Sequence, residues 1–175
     1  MIREFDKSKI YVFIDSQNLN LGTSKDIYRG KKRVYSGWKL DYKKFRIYLS
    51  DKINAEKVFL FIGFIAENQK LYDALRSYDY KLIFKPTIKD HSGKPKGNVD
   101  AELVLHSAKI QYENYNQAVI VSGDGDFYCL HQYLKRERKL LKIIIPNRKS
   151  ESSLLKRFQN EKVFLERERK KVELA

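Results

Sequence analysis

Five apolar runs, most of them cut off by an acid, a turn or a proline, constrain this 175-residue chain more than any other feature. Residues 9–14 (KIYVFI) run into Asp15, and residues 58–65 (VFLFIGFI) form a second block. Residues 80–85 (YKLIFK) stop at Pro86, residues 118–121 (AVIV) at the Ser122-Gly123-Asp124 turn, and residues 140–145 (LLKIII) at Pro146. β-branched and aromatic runs without polar alternation mean burial on both faces, the mark of a parallel sheet covered by helices. Helical spacing fills the gaps at 42–52, 68–77, 99–113, 127–137 and 153–158. Strand alternates with helix, so the expected class is α/β with a mainly parallel sheet of five to six strands. The last residues read either as a charged helix or as a late strand at 162–165.

The length fits one domain, and no linker or repeat divides the chain. The expected core spans about 9–146, with a basic C-terminal extension over 147–175. A lone cysteine, Cys129, excludes an intramolecular disulfide, and His91, His106 and His131 lack zinc-ligand spacing. The N-terminus is charged, and the longest apolar stretch, 58–66, falls short of the roughly 20 residues of a membrane span. A soluble, cytoplasmic protein without a membrane partner is the expectation.

Charge points to a polyanionic partner. There are 36 Lys and Arg against 22 Asp and Glu, a net charge of +14. Residues 1–44 carry 11 basic and 5 acidic side chains, residues 131–175 carry 14 and 6, and the middle is balanced. Part of this is ordinary solvated surface, the plain reading of 167–171, but the total makes nucleic acid the leading partner. Two long connections add to it. Residues 22–39 interleave Lys31, Lys32 and Arg33 with Tyr28, Tyr35 and Trp38, a composition suited to tracking phosphates and stacking unpaired bases. The alternative is that Trp38 plugs the core. Residues 87–98 are basic, include Lys96, and are rich in helix and strand breakers.

The acids sit where ligands bind in open α/β sheets, outside the carboxyl ends of strands. Asp15 ends the first run, Asp124 and Asp126 follow the fourth, and Asp100 opens the helix before it. If the first and fourth runs are neighbouring strands, Asp15 and Asp124 share one crevice. Carboxylates gathered there repel one another unless a cation neutralises them, and all-oxygen ligation suits Mg²⁺ or Mn²⁺. Taken singly, Asp124, Asp126 and Asp100 also read as helix caps or dipole partners. Asp15 is harder to explain that way, because an acid directly after an apolar strand needs a partner. An EF-hand reading of Ser122–Asp126 fails, since Tyr128 and Cys129 occupy the next required positions.

Three stretches, Phe13-Ile14-Asp15-Ser16-Gln17-Asn18, Lys96-Gly97-Asn98-Val99-Asp100 and Ser122-Gly123-Asp124-Gly125-Asp126-Phe127, resemble the motifs of the NYN domain family, LabA-like, within the PIN-like nucleases. They occur in the family's order across most of the chain. The resemblance implies a PIN-like three-layer sandwich, one or two divalent metals and cleavage of RNA phosphodiester bonds. It makes Asp15, Asp100, Asp124 and Asp126 metal ligands, Asn18 an orienter of water or phosphate, and Lys96 a phosphate contact. His106 reads as a helix histidine, not a ligand.

Other classes fit less well. A receiver domain needs an acidic pair after the first strand and an acceptor aspartate after the third, where this chain has Pro86. A haloacid-dehalogenase-type phosphatase needs Asp-x-Asp, and Asp15-Ser16-Gln17 lacks it. The rival that survives keeps the fold and charge as a catalytically silent nucleic-acid-binding module. The expected partner is single-stranded RNA, and a homo-oligomer is compatible with the sequence.

Overall fold

The computed structural model describes residues 8–85 and 100–175, together with the backbone at 88–89 and 95–96. In chain order the elements are β1 (Ile10–Asp15), α1 (Ser16–Ser24), the hairpin β2 (Ile27–Arg29) and β3 (Lys32–Tyr35), α2 (Tyr42–Ile53), β4 (Ala55–Gly63), α3 (Gln69–Ser77) and β5 (Tyr80–Lys85). The short pair β6 (Ile88–Lys89) and β7 (Pro95–Lys96) follows. Then come α4 (Asp100–Leu105), β8 (Gln117–Val121), α5 (Tyr128–Arg136), β9 (Leu140–Ile145), β10 (Lys162–Phe164) and α6 (Arg169–Val172).

Six strands form one sheet in the order β10-β9-β8-β1-β4-β5, and every neighbouring pair is parallel. From β1 the chain moves outward to β4 and β5, then returns to the other side of β1 for β8, β9 and β10. Strand order therefore reverses between β1 and β8, where the crevice of such a sheet lies. Ile14 pairs with Val121, so Asp15 and Ser122 leave the sheet side by side.

Strand alternation builds the three layers. Ile10, Val12 and Ile14 of β1, Val58 and Leu60 of β4, and Val119 and Val121 of β8 share one core with Leu19, Phe45, Leu49 and Leu75 from α1, α2 and α3. Tyr11 and Phe13, Phe59 and Phe61, and Ala118 and Ile120 face the other way, onto Leu103 of α4 and Leu130 and Leu134 of α5. Both faces are apolar because both are covered, which is why the strands read as continuous hydrophobic runs.

Several expectations need correction. Residues 22–39 are not a structureless loop: they hold the end of α1 and the β2–β3 hairpin. The expected helix over 99–113 is α-helical only to Leu105, then turns through a π segment (His106–Ile110) and a 3-10 turn (Tyr112–Asn114). Ser107 drives part of this by donating its hydroxyl back to the Leu103 carbonyl at 2.7 Å, a contact that loosens regular helix. Residues 153–158 form a 3-10 turn (Ser153–Arg157). The stretch 147–175 takes the second of its two readings, a late strand: β10 joins the sheet, and Leu155, Phe158, Leu165 and Val172 are buried.

Candidate active site

The end of β1 and the end of β8 are tied together by side chains that serve both turns. Asp15 is buried, at 5% exposure, and caps α1: its Oδ1 accepts the Asn18 N–H at 3.0 Å. Its Oδ2 lies 3.4 Å from the Ser122 hydroxyl, which in turn accepts the Asp124 N–H at 3.2 Å. Asn18 returns across the crevice, its Oδ1 accepting the Gly123 N–H at 2.8 Å. Asp124 caps the next turn by accepting the Asp126 N–H at 3.0 Å. Asp124 is half-buried and Asp126 exposed.

Asp100 opens α4, which packs against β1 and against the 3-10 turn Gly125–Phe127. That packing brings the fourth carboxylate within electrostatic reach of the others. Burial lifts the Asp100 carboxyl above its ordinary range, and the charges of Asp15, Asp124 and Asp126 push it the same way, against Lys85. Burial also lifts Asp15, opposed by the Asn18 amide and the Ser122 hydroxyl and assisted by Asp124. An acidic cluster held partly out of water in this way favours protons or cations.

Among the described residues no three Asp, Glu, His or Cys side chains converge closely enough to grip an ion. Asp15 and Asp124 each commit one oxygen to the turn that follows it. The donor set itself, carboxylates with an amide beside them, fits a hard divalent cation.

Two glycines let the neighbouring loop close over the site. A Cβ on Gly125 would stand 2.4 Å from the Ser152 hydroxyl, and one on Gly123 would stand 3.1 Å from Ile145. Ser152 donates its N–H to the Gly123 carbonyl at 3.1 Å. Buried Asn147 anchors this loop by accepting the N–H groups of Lys149 and Ser150 and donating to the Gly22 carbonyl. Ser122 and Asn147 escaped the sequence reading as structural parts of the site. Asn147, directly after Pro146 and two residues before the groups it caps, carried the mark of an Asx turn.

The nucleic-acid residues expected at 22–39 divide. Lys31, Lys32 and Arg33 are exposed on the hairpin, Arg33 paired with Asp26 at 3.2 Å. Tyr35 is half-buried and donates its hydroxyl to the Thr23 carbonyl at 3.1 Å. Trp38 is 6% exposed and belongs to the core, with Arg169 over its ring at 5.8 Å, so the expected base platform at Trp38 is corrected to a packing plug. Tyr28, 57% exposed, keeps an open face. The Lys96 side chain and the Lys96–Val99 part of the second motif lie outside the described residues, β7 backbone aside. His106 sits edge-on to Phe61 at 5.4 Å and burial lowers its pKa, as suits a neutral helix histidine.

The NYN domain family matches residues 9–166, from the first strand through the last strand of the sheet. The chain belongs to this family. NYN domains are PIN-like nuclease domains, which supports nuclease-type chemistry on nucleic acid for this NYN domain. A protein of unknown function from Vibrio parahaemolyticus has a similar crystal structure: TM-score 0.68 at 21% identity, covering 94% of this chain and 96% of that one. That likeness shows the fold alone. No curated protein matches the sequence. Among the described residues no helix is long and apolar enough to cross a membrane.

Proposed function

We propose that this NYN domain is a Mg²⁺- or Mn²⁺-dependent ribonuclease, LabA-like in type, acting on single-stranded RNA in the cytoplasm by internal cleavage, with residues 1–175 working as one domain. The observation that carries the reading is the placement of Asp15, Asp100, Asp124 and Asp126 at the reversal point of the sheet, where the charges of the other three all act on Asp100. These four would hold the cation, directly or through water. A divalent ion bound there supplies charge neutralisation at the phosphoryl oxygens and a more acidic water.

The protein's own groups do the rest. Asp15, already bonded to the Asn18 amide and the Ser122 hydroxyl, keeps a fixed orientation. Asn18 is pinned through its Oδ1, which leaves its amide NH₂ to orient a water or phosphate oxygen. Basic side chains, including Lys31, Lys32 and Lys96, contribute the charge that retains the polyanion.

The experiment is cleavage of single-stranded RNA, structured RNA and DNA with Mg²⁺, Mn²⁺ or chelator, beside Asp15→Asn. Metal-dependent RNA cleavage lost in Asp15→Asn is expected. Equal cleavage by Asp15→Asn, or in chelator, overturns the site. The second reading, a binding module without turnover, takes support from the capping roles of Asp15 and Asp124. Tight RNA binding with no cleavage under any metal would favour it.

A further inference from the structure

The carboxyl ends of all six strands lie on one rim of the sheet, and the rim changes character along its length. Between β1 and β8 it is acidic. Past the end of β9 and along the edge strand β10 lies a basic cleft, where adjoining concavities of about 420 and 390 Å³ share Arg148, Gln159, Lys162 and Phe164. Arg29 from the β2–β3 hairpin, with Lys149 and Lys156, lines the larger one. We propose that this cleft is the track for the single-stranded nucleic acid that flanks the cleaved bond. It rests on the nuclease reading and names the surface that holds the substrate's flanking phosphates.

Charge that is not already spent is the first reason. Lys162 is nearly buried and neutralised by Glu151, so it is part of the wall. Arg29, Arg148, Lys149 and Lys156 are exposed and make no ion pair among the described residues. Four unneutralised cations around one concavity repel each other, a cost that a polyanion relieves by releasing its counterions.

Preorganisation is the second. The turn that carries Arg148 and Lys149 is held from beneath by Asn147, which accepts two of its N–H groups and bonds across to Gly22 at the end of α1. The Arg148 N–H is held by Glu166 at 3.1 Å. Phe164 ends β10 at the cleft floor, and Arg167 stacks over it at 5.4 Å. A planar guanidinium on an aromatic ring presents a surface to which a base can add.

Continuity with the carboxylates is the third. One loop serves both places: Ser152 meets Gly123 and Gly125 on the acidic side, while Arg148 and Lys149 face the cleft. From β1 to β10 there are three strand spacings, about 14 Å at roughly 4.8 Å each, a distance that a few nucleotides cover. An acidic peptide would find the same cations but has no bases to add to the Arg167–Phe164 stack.

The test uses the full chain in chelator, so that binding is read without cleavage. A fluorescein-labelled 20-nucleotide oligouridylate is titrated with the parent, with Arg29→Ala/Arg148→Ala/Lys149→Ala/Lys156→Ala, and with Lys43→Ala/Lys52→Ala/Lys70→Ala/Lys109→Ala. The last set removes the same charge from exposed positions outside the cleft. The cleft variant is expected to bind at least tenfold more weakly. Its salt slope should be smaller by about 0.7 for each phosphate that it no longer neutralises, while the control stays within about twofold of the parent. Equal losses in both variants, no loss in the cleft variant, no binding by the parent, or equal competition by polyglutamate would each overturn the proposal. Hydrolysis of bis(p-nitrophenyl) phosphate with Mn²⁺ tests the carboxylate site separately. It is expected to be lost in Asp15→Asn, and its absence from the parent would overturn the nuclease reading without touching the binding result.

Discussion

Asn18 reaches across the crevice from α1 to hold the Gly123 N–H at 2.8 Å, joining the two turns that carry Asp15 and Asp124. Gly123 is buried, so removing the acceptor leaves its N–H without water or partner. Asn18→Ala should therefore cost about 1–3 kcal/mol in urea unfolding and lower cleavage with it. A loss below about 0.3 kcal/mol would mean that the turns hold without this bond.

Asp15→Asn should behave in the opposite way on stability. Burial raises the Asp15 pKa above 3.8 in the folded chain. A raised acid pKa means that the folded state holds its proton more tightly, so the charged form weakens the fold as pH rises above 3.8. Asparagine keeps the capping oxygen and removes the charge. The variant should match or exceed the parent's melting temperature at pH 7.5 without metal, with the gap shrinking towards pH 4. Metal reverses the comparison: Mn²⁺ at ten times its Kd should stabilise the parent by about 1.4 kcal/mol and leave the variant nearly unmoved. A parent melt indifferent to millimolar Mg²⁺ and Mn²⁺ would remove the proposed cation from the site.

Trp38→Ala should destabilise the fold by about 3–5 kcal/mol, the range for emptying a buried aromatic position. RNA affinity of the fraction that remains folded should stay within about twofold of the parent. Tyr28→Ala, at an exposed ring, should leave the melt unchanged. Tighter coupling of Trp38 to binding than to melting would restore it as a base platform.

The contrast between Trp38 and Asp15 marks how far local pattern reaches: it places Asp15 at a strand end and leaves Trp38 open between core and surface. Runs such as VFLFIGFI advertise burial on both faces by composition alone, and five strands and their parallel class followed from it. The pairing of β1 with β8, which brings Asp15 beside Ser122, is only a condition of the strand-end reading, and the sheet order meets it. Helix α1 was missed because SQNLNLGTS has weak helix formers and only a narrow buried edge at Leu19 and Thr23, with the Asp15 cap supplying the start. Trp38 resembles any aromatic among lysines until Arg169, more than a hundred residues later, folds over it. The cleft is likewise assembled from Arg29, Lys149 and Lys156, residues that local pattern cannot connect.

His131 makes a pH prediction that involves no acid of the crevice. It is fully buried on α5, edge-on to Phe158 at 5.5 Å, and neither ring nitrogen has a partner among the described residues. Burial is the cause that pushes its pKa down to about 4 from 6.5. Because the folded pKa lies below the unfolded one, the unfolded chain takes up the proton first. The fold is thus at full strength above pH 6.5 and weakens as pH falls towards 4, by on the order of 3 kcal/mol from this group. Asp15 and Asp100 shift stability the other way over acid pH, so the parent's curve alone does not isolate the histidine. The difference between the parent and His131→Leu does. Leucine carries no proton and leaves no buried nitrogen unpaired, so the variant should gain on the parent steadily from pH 6.5 down to 4.5 in denaturant melts. A parent-to-variant difference that stays flat across that window would show that His131 is protonated, or reached by water, in the folded protein.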